Sequence, residues 1–382
     1  MINSQRLKRF FFELVQIDSH SRDEKKVAEY LQDKLERLGA VITMDDTAEK
    51  IGGNCGNLLA RISGPLEGKV EPLLFCSHMD TVVPGEGVKP VEDDGVIRSS
   101  GDTILGSDDK SGIAAILEML HVLKENDLPF GALEILFTVA EEVGLLGARN
   151  FDTSVLKSKR GYFLDSEYVS KISVGAPAAY RMRYEIFGHE AHAGLAPEQG
   201  ISAIQVAAKA INNMPMGRID SETTANIGVI EGGTATNIVT KQVILRGEAR
   251  SHNDKKLEEQ VAAMRKAIQD AVDSSWIELD GKRIQAHFEE ATKREYISFR
   301  IPESSLSYQL PQKAGKAIGL EMEPEISGGG SDANIFNEKG IESLIIGTGM
   351  QAVHTVKEHI SFKDMENCAN LLINMIQLHG KA

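Results

Sequence analysis

The stretch EPLLFCSHMDTVVPG, residues 71 to 85, carries an apolar run that ends in His78, Met79 and Asp80 and then stops at a Pro-Gly turn. A short apolar run without alternation reads as a strand covered on both faces, the form strands take in a parallel sheet sandwiched by helices. Such strands deliver functional side chains at their carboxyl ends, so a His and an Asp placed there point to chemistry.

The flanking sequence supplies the helices and strands that such a sheet needs. Residues 23–39, DEKKVAEYLQDKLERLG, space Val27, Tyr30, Leu31, Leu35 and Leu38 for one helix face and end in Gly39 as a C-cap. Residues 110–126 read as a helix, and residues 132–142 and 160–167 as further buried strands. The alternation predicts an α/β catalytic domain whose mixed, mostly parallel sheet has helices on both faces. The amino-terminal MINSQRLKRFFFELVQIDSH reads as an amphipathic first helix rather than a leader.

Near residue 173 the texture changes. ISVGAPAAYRMRYEIF begins a strand that alternates, and a helix, two strands, a long helix and a last strand follow. That β, α, β, β, α, β order predicts an inserted ferredoxin-like α+β domain over 174–292, interrupting a catalytic domain made of 1–173 and 293–382.

The chain of 382 residues is 42% hydrophobic and 26% charged, the composition of a globular protein. Its net charge of −14 argues against nucleic acid or an anionic membrane as partner, since both need a basic patch. No run approaches the roughly 18 apolar residues that span a bilayer. Cys55, Cys76 and Cys368 are too few and too scattered for a disulfide framework, which predicts a reducing compartment, the cytoplasm.

Four more segments carry imidazole or carboxylate at strand ends or helix starts: Asp108 in GSDDKSG, Glu141 and Glu142 in VAEEVG, Asp165 in FLDSE, and His354 in AVHTVKEH. Singly these read as an N-cap, a solvated strand end, a turn and a loop histidine. Jointly, two imidazoles and several carboxylates suit Zn, Mn or Co better than Ca, which takes oxygen only. Five ligands serve a pair of metals that share one carboxylate, and the spare acid can act as the base of a two-metal hydrolase.

The ordered motifs SHMDTV, GSDDKSG, AEEVGLLGA, LDSE, GHEAHAG, GGTATN, GEARS, GGGSDAN and VHTVKEH resemble those of the dinuclear zinc peptidases of the glutamate carboxypeptidase, aminoacylase and peptidase T family, closest to its peptidase T-like branch. The resemblance implies two zinc ions per subunit, with Co or Mn as substitutes. It makes His78 and Asp165 ligands of one metal, Glu142 and His354 ligands of the other, and Asp108 the bridge. It makes Glu141 the general base for a metal-bridging hydroxide and Asp80 the carboxylate behind His78, and it implies a cis peptide between Asp108 and Asp109. The inserted domain becomes a lid and dimerisation domain of a homodimer. There His192 would stabilise the oxyanion in a neighbouring active site, while Asn237, Arg250 and the amides of Gly328, Gly329 and Gly330 would hold substrate. The implied activity is cleavage of small peptides by an aminopeptidase or tripeptidase. N-acyl amino acid deacylation, a carboxypeptidase-type reaction and a catalytically silent binding protein are the alternatives.

Overall fold

The computed structural model describes residues 1–381. It divides into two compact units, Met1–Ala176 with the chain from Arg300 on, and Pro177–Phe299. The sequence places the inserted domain at 174–292. The structure keeps the strand Lys171–Ala176 in the first unit, and Pro177, which has no amide hydrogen to give a ladder, follows its end. What reads as one alternating strand is therefore two.

In the first unit, helix α1 (Ser4–Val15) buries Leu7, Phe10, Phe11, Leu14 and Val15, one face at helical spacing. Asn3 caps it by accepting the Arg6 amide at 3.1 Å. Strands β1 (Val41–Met44), β2 (Leu58–Ile62) and β3 (Leu73–His78) follow, then α2 (Ser107–Glu125), β4 (Leu133–Thr138), β5 (Arg160–Ser166) and β6 (Lys171–Ala176). Every residue of β3 and β4 is buried, as their unbroken apolar texture predicts. Helix α2 is buried along nearly its whole length, and Gly112 lets it approach β5: a Cβ there would lie 2.6 Å from Leu164 Cβ.

The second unit carries β7 (Ala178–Phe187), α3 (Ala203–Asn213), β8 (Thr223–Gly232), β9 (Gln242–Ser251), α4 (Asp254–Asp273) and β10 (His287–Tyr296). Its strands run β8-β9-β7-β10, all antiparallel, which is the ferredoxin-like order. Tyr184, Ile186, Val243 and Leu245 pack with Val206, Ala210, Leu257, Met264 and Ile268 of the two helices. The sequence RIQAHFEEATKR reads as one strand, but Lys282–Gln285 pairs back on Trp276–Leu279 as a separate hairpin before β10 begins.

The chain then returns to the first unit with α5 (Leu306–Ala317), β11 (Glu323–Ile326), α6 (Asp332–Glu338), β12 (Glu342–Gly347) and α7 (Phe362–His379). The central sheet runs β1-β2-β4-β3-β5-β12-β6, with β11 beside β6. The pairs β4/β3, β3/β5, β5/β12 and β6/β11 are parallel, and β1/β2, β2/β4 and β12/β6 antiparallel, so the sheet is mixed with a parallel centre. Leu164 of β5 meets α2 while its neighbour Phe163 meets Phe336 of α6, ring centroids 5.0 Å apart, so helices lie on both faces. Among the described residues, no helix is long and apolar enough to cross a membrane.

Candidate metal centre

Three parallel strands, β4, β3 and β5, end at the same edge of the sheet. His78 closes β3 and pairs in register with Thr138, the last residue of β4. Cys76 pairs with Phe163, so two residues on, Asp165 of β5 comes level with His78. Glu141 and Glu142 do not extend β4, which stops at Thr138. They follow Ala140, whose φ of 50° turns the chain across the sheet edge.

Asp108 lies before the regular part of α2. It and Asp109 are not helical, with φ and ψ of −83° and 105° and of −116° and 32°. Their peptide bond is cis, as the resemblance implies. The capping role read for Asp108 taken singly belongs to Asp109, which accepts the Gly112 amide at 3.2 Å and the Ser77 hydroxyl. Asp108 is thereby left to face the sheet edge. His354, in a left-handed conformation with φ 62°, reaches the same place from the loop after β12.

The side chains converge tightly. His78 Nε2 lies 3.0 Å from Asp108 Oδ1, and His354 Nε2 lies 3.2 Å from Asp108 Oδ2 and 2.9 Å from Glu142 Oε1. Potential ligand atoms of His78, Asp108 and Asp165 lie within 4.8 Å of one another, as do those of Asp108, Glu142 and His354, and those of His78, Glu141 and Glu142. Asp108 is common to the first two groups. On its far side, His78 Nδ1 faces the Asp80 carbonyl at 2.9 Å and Asp80 Oδ1 at 3.4 Å, which aims Nε2 at the cluster.

Asp80 does more than orient His78. Its Oδ1 accepts the Glu141 amide at 3.0 Å, and its Oδ2 accepts the Glu142 amide at 3.2 Å and the Ser21 hydroxyl at 2.6 Å. One buried carboxylate thus fixes both the histidine and the acid pair. Sequence reading misses the second duty because nothing in the spacing of residues 80 and 141 signals it.

Charge shapes what the cluster can hold. Burial, and then the charge of Asp165, push Glu141 well above the usual carboxylate range, and burial followed by Asp108 does the same to Asp165. Burial opposes ionisation of Asp108, yet hydrogen bonds to His354 and His78 outweigh it and hold Asp108 below that range. The bonds to Asp108 and Glu142 push His354 up to about 10. Several buried acids around two imidazoles form a nitrogen and oxygen donor set that fits borderline dications such as zinc, whose charge would relieve the repulsion. An imidazolium must release its proton before its nitrogen can ligate, so metal uptake is coupled to proton release and strengthens as pH rises.

His192, Asn237 and Arg250 belong to the second unit. His192 is exposed, and its Nδ1 accepts the amides of Gly194 and Leu195 at 3.1 and 3.2 Å, so the neutral ring carries its proton on Nε2. The Asn237 carbonyl accepts the Ala193 amide at 2.9 Å, tying it to the His192 segment. Arg250 makes a two-point pair with Glu248 at 3.0 and 2.9 Å. In the first unit, the Gly329 amide of the glycine run 328–330 donates to Ser327 Oγ at 3.1 Å.

Comparison with known proteins adds to this geometry. Residues 74–378 match Peptidase family M20/M25/M40. A Bacillus subtilis protein, YqjE, described only as uncharacterized, is 42% identical over 382 residues and all of both chains. The solved aminopeptidase PepT of Bacillus cereus is 41% identical with a TM-score of 0.88, and a solved tripeptidase of Staphylococcus aureus is 39% identical with a TM-score of 0.92. Each of these two structures and this chain cover one another completely.

Proposed function

From the premise that this chain belongs to Peptidase family M20/M25/M40 and is a peptide-hydrolysing metallopeptidase, we propose that it removes amino-terminal residues from small peptides, tripeptides among them, as a peptidase T-like aminopeptidase. The observation that carries the reading is the pair of ligand groups sharing Asp108, with the buried Glu141 beside them. We assign His78, Asp108 and Asp165 to one zinc and Asp108, Glu142 and His354 to the other.

When bound, the two cations polarise the scissile carbonyl and acidify a water molecule. Glu141 takes the proton from that water as it attacks and passes it to the departing amine nitrogen. Asp80 is a positioning residue, acting through His78 and through the amides of Glu141 and Glu142. The Nε2–H of His192 donates to the carbonyl oxygen as negative charge develops there, and its two backbone donors support that tautomer. Asn237, Arg250 and the glycine run 328–330 hold the peptide. The second unit serves as lid and dimerisation domain of a homodimer. The three buried, unbridged cysteines support a cytoplasmic setting.

The metal-loaded protein should cleave the first bond of a tripeptide with a free amine and leave its N-acetyl form and N-acetyl amino acids largely intact. Preference for the acetylated substrates would replace this reading with deacylation, and release of the carboxyl-terminal residue would replace it with a carboxypeptidase. His192→Ala should lower kcat by about a hundredfold to a thousandfold, the usual cost of one oxyanion donor, at unchanged metal content. Mixing it with Glu141→Gln should restore activity, because a mixed dimer holds one site with an intact Glu141 and a His192 from the other chain. Absence of rescue would assign His192 to its own chain.

A further inference from the structure

Glu358 is a buried carboxylate four residues after His354, and neither ligand group includes it. Its Oε2 accepts the backbone amides of Leu105 and Gly106 at 2.8 and 2.9 Å. Its Oε1 accepts the Ser107 hydroxyl at 2.6 Å and the Asp108 amide at 3.1 Å. A carboxylate offers about four lone-pair sites, and all are matched here. Gly106, with φ 77°, supplies the left-handed turn that aims successive amides at one anion.

Glu358 itself is held from behind. Its amide closes a turn on the Thr355 carbonyl at 3.0 Å, and the next residues, His359–Ser361, pair with Met350–Gln351. His354 therefore sits inside a closed hairpin, and the hairpin grips the loop that carries Asp108. Ser107 is fixed on its other side as well, its carbonyl accepting the Ser111 hydroxyl at 2.7 Å.

We propose that Glu358 is a positioning residue of the metal centre, a clamp that locks the Asp108 loop to the His354 hairpin so that the two side chains reach one cation at a fixed separation. The proposal rests on the reading of Asp108 and His354 as ligands. It differs from a general structural role in what it governs. Loss of the clamp loosens two ligands relative to each other, while the buried core of sheet and helices stays packed. A glutamine at 358 is nearly the same shape, but its amide nitrogen would face donors and has no lone pair to offer them.

The test compares wild type, Glu358→Gln and Asp108→Ala for zinc affinity by chelator competition, and for the melting temperature of the metal-free protein. Glu358→Gln should bind zinc about tenfold to a hundredfold more weakly, the range seen when partners behind metal ligands are removed, with the metal-free melting temperature lowered by a few degrees for the mispaired buried donors and activity regained in excess zinc. Unchanged zinc affinity in Glu358→Gln overturns the clamp if Asp108→Ala has lost its metal. Full metal content in Asp108→Ala overturns the ligand reading instead. Should Glu358→Gln fail to fold, Ser107→Ala removes one of the four donors and keeps the carboxylate. A weaker zinc affinity in that variant supports the clamp, and wild-type affinity overturns it.

Discussion

Glu141→Gln is expected to retain its metal and lose about a hundredfold to ten-thousandfold in kcat, the range that a positioned general base contributes. The side chain is buried and its amide is held by Asp80, so an isosteric amide keeps both the shape and the anchoring of the segment. What it loses is the basic carboxylate oxygen that takes a proton from water, since an amide oxygen is too weakly basic to hold that proton. Substrate binding should survive, so the loss falls on kcat rather than on KM. Elemental analysis alongside steady-state kinetics decides the matter. Near-wild-type turnover would remove Glu141 from the proton-transfer role, and loss of metal would make it a ligand, a possibility its grouping with His78 and Glu142 gives substance.

Asp108→Ala is expected to lose both metals and, with them, essentially all activity. Among the described residues, Asp108 is the carboxylate whose two oxygens face the two imidazoles separately, Oδ1 toward His78 and Oδ2 toward His354. Without it each ligand group falls to two residues, fewer than the three protein ligands usual for catalytic zinc. The backbone amide that bonds Glu358 is untouched by the substitution, so the loop should stay in place. One equivalent of metal retained per chain would show that the two groups do not share this carboxylate.

The sheet was legible in the sequence because its central strands are covered on both faces and so are apolar throughout, as LLFCSH and LEILFT are. The fold brings His78, Asp108, Glu142, Asp165 and His354 together, and of these His78 and Asp165 carry the plainest mark in the sequence, a polar residue closing an apolar run. Backbone anchors leave no such mark. Asp80 and Glu358 bond amides from segments far away in sequence, and any acid near a turn looks the same until the chain is folded. Asp108 and Asp109 are chemically identical neighbours, and only the backbone angles send one to the cluster and the other to cap α2. Helix and strand ends shifted where a proline or a turn outweighed the apolar pattern, as at Pro177 and after Thr138.

The order β5-β12-β6 has a consequence for biosynthesis. Arg160–Ser166 and Lys171–Ala176 leave the ribosome one after the other, but in the finished sheet Glu342–Gly347 lies between them. Translation at about 5–20 residues per second needs on the order of ten seconds to go from Ala176 to Glu342. Throughout that interval Arg160–Ser166 lacks one of its two sheet neighbours, and an unpaired edge of this kind is a template that recruits foreign strands. The second unit, Pro177–Phe299, is contiguous in sequence and can fold before the first is complete. His354 emerges later still, so the side chains that meet at the candidate metal centre are all present only after every strand of the central sheet has been made.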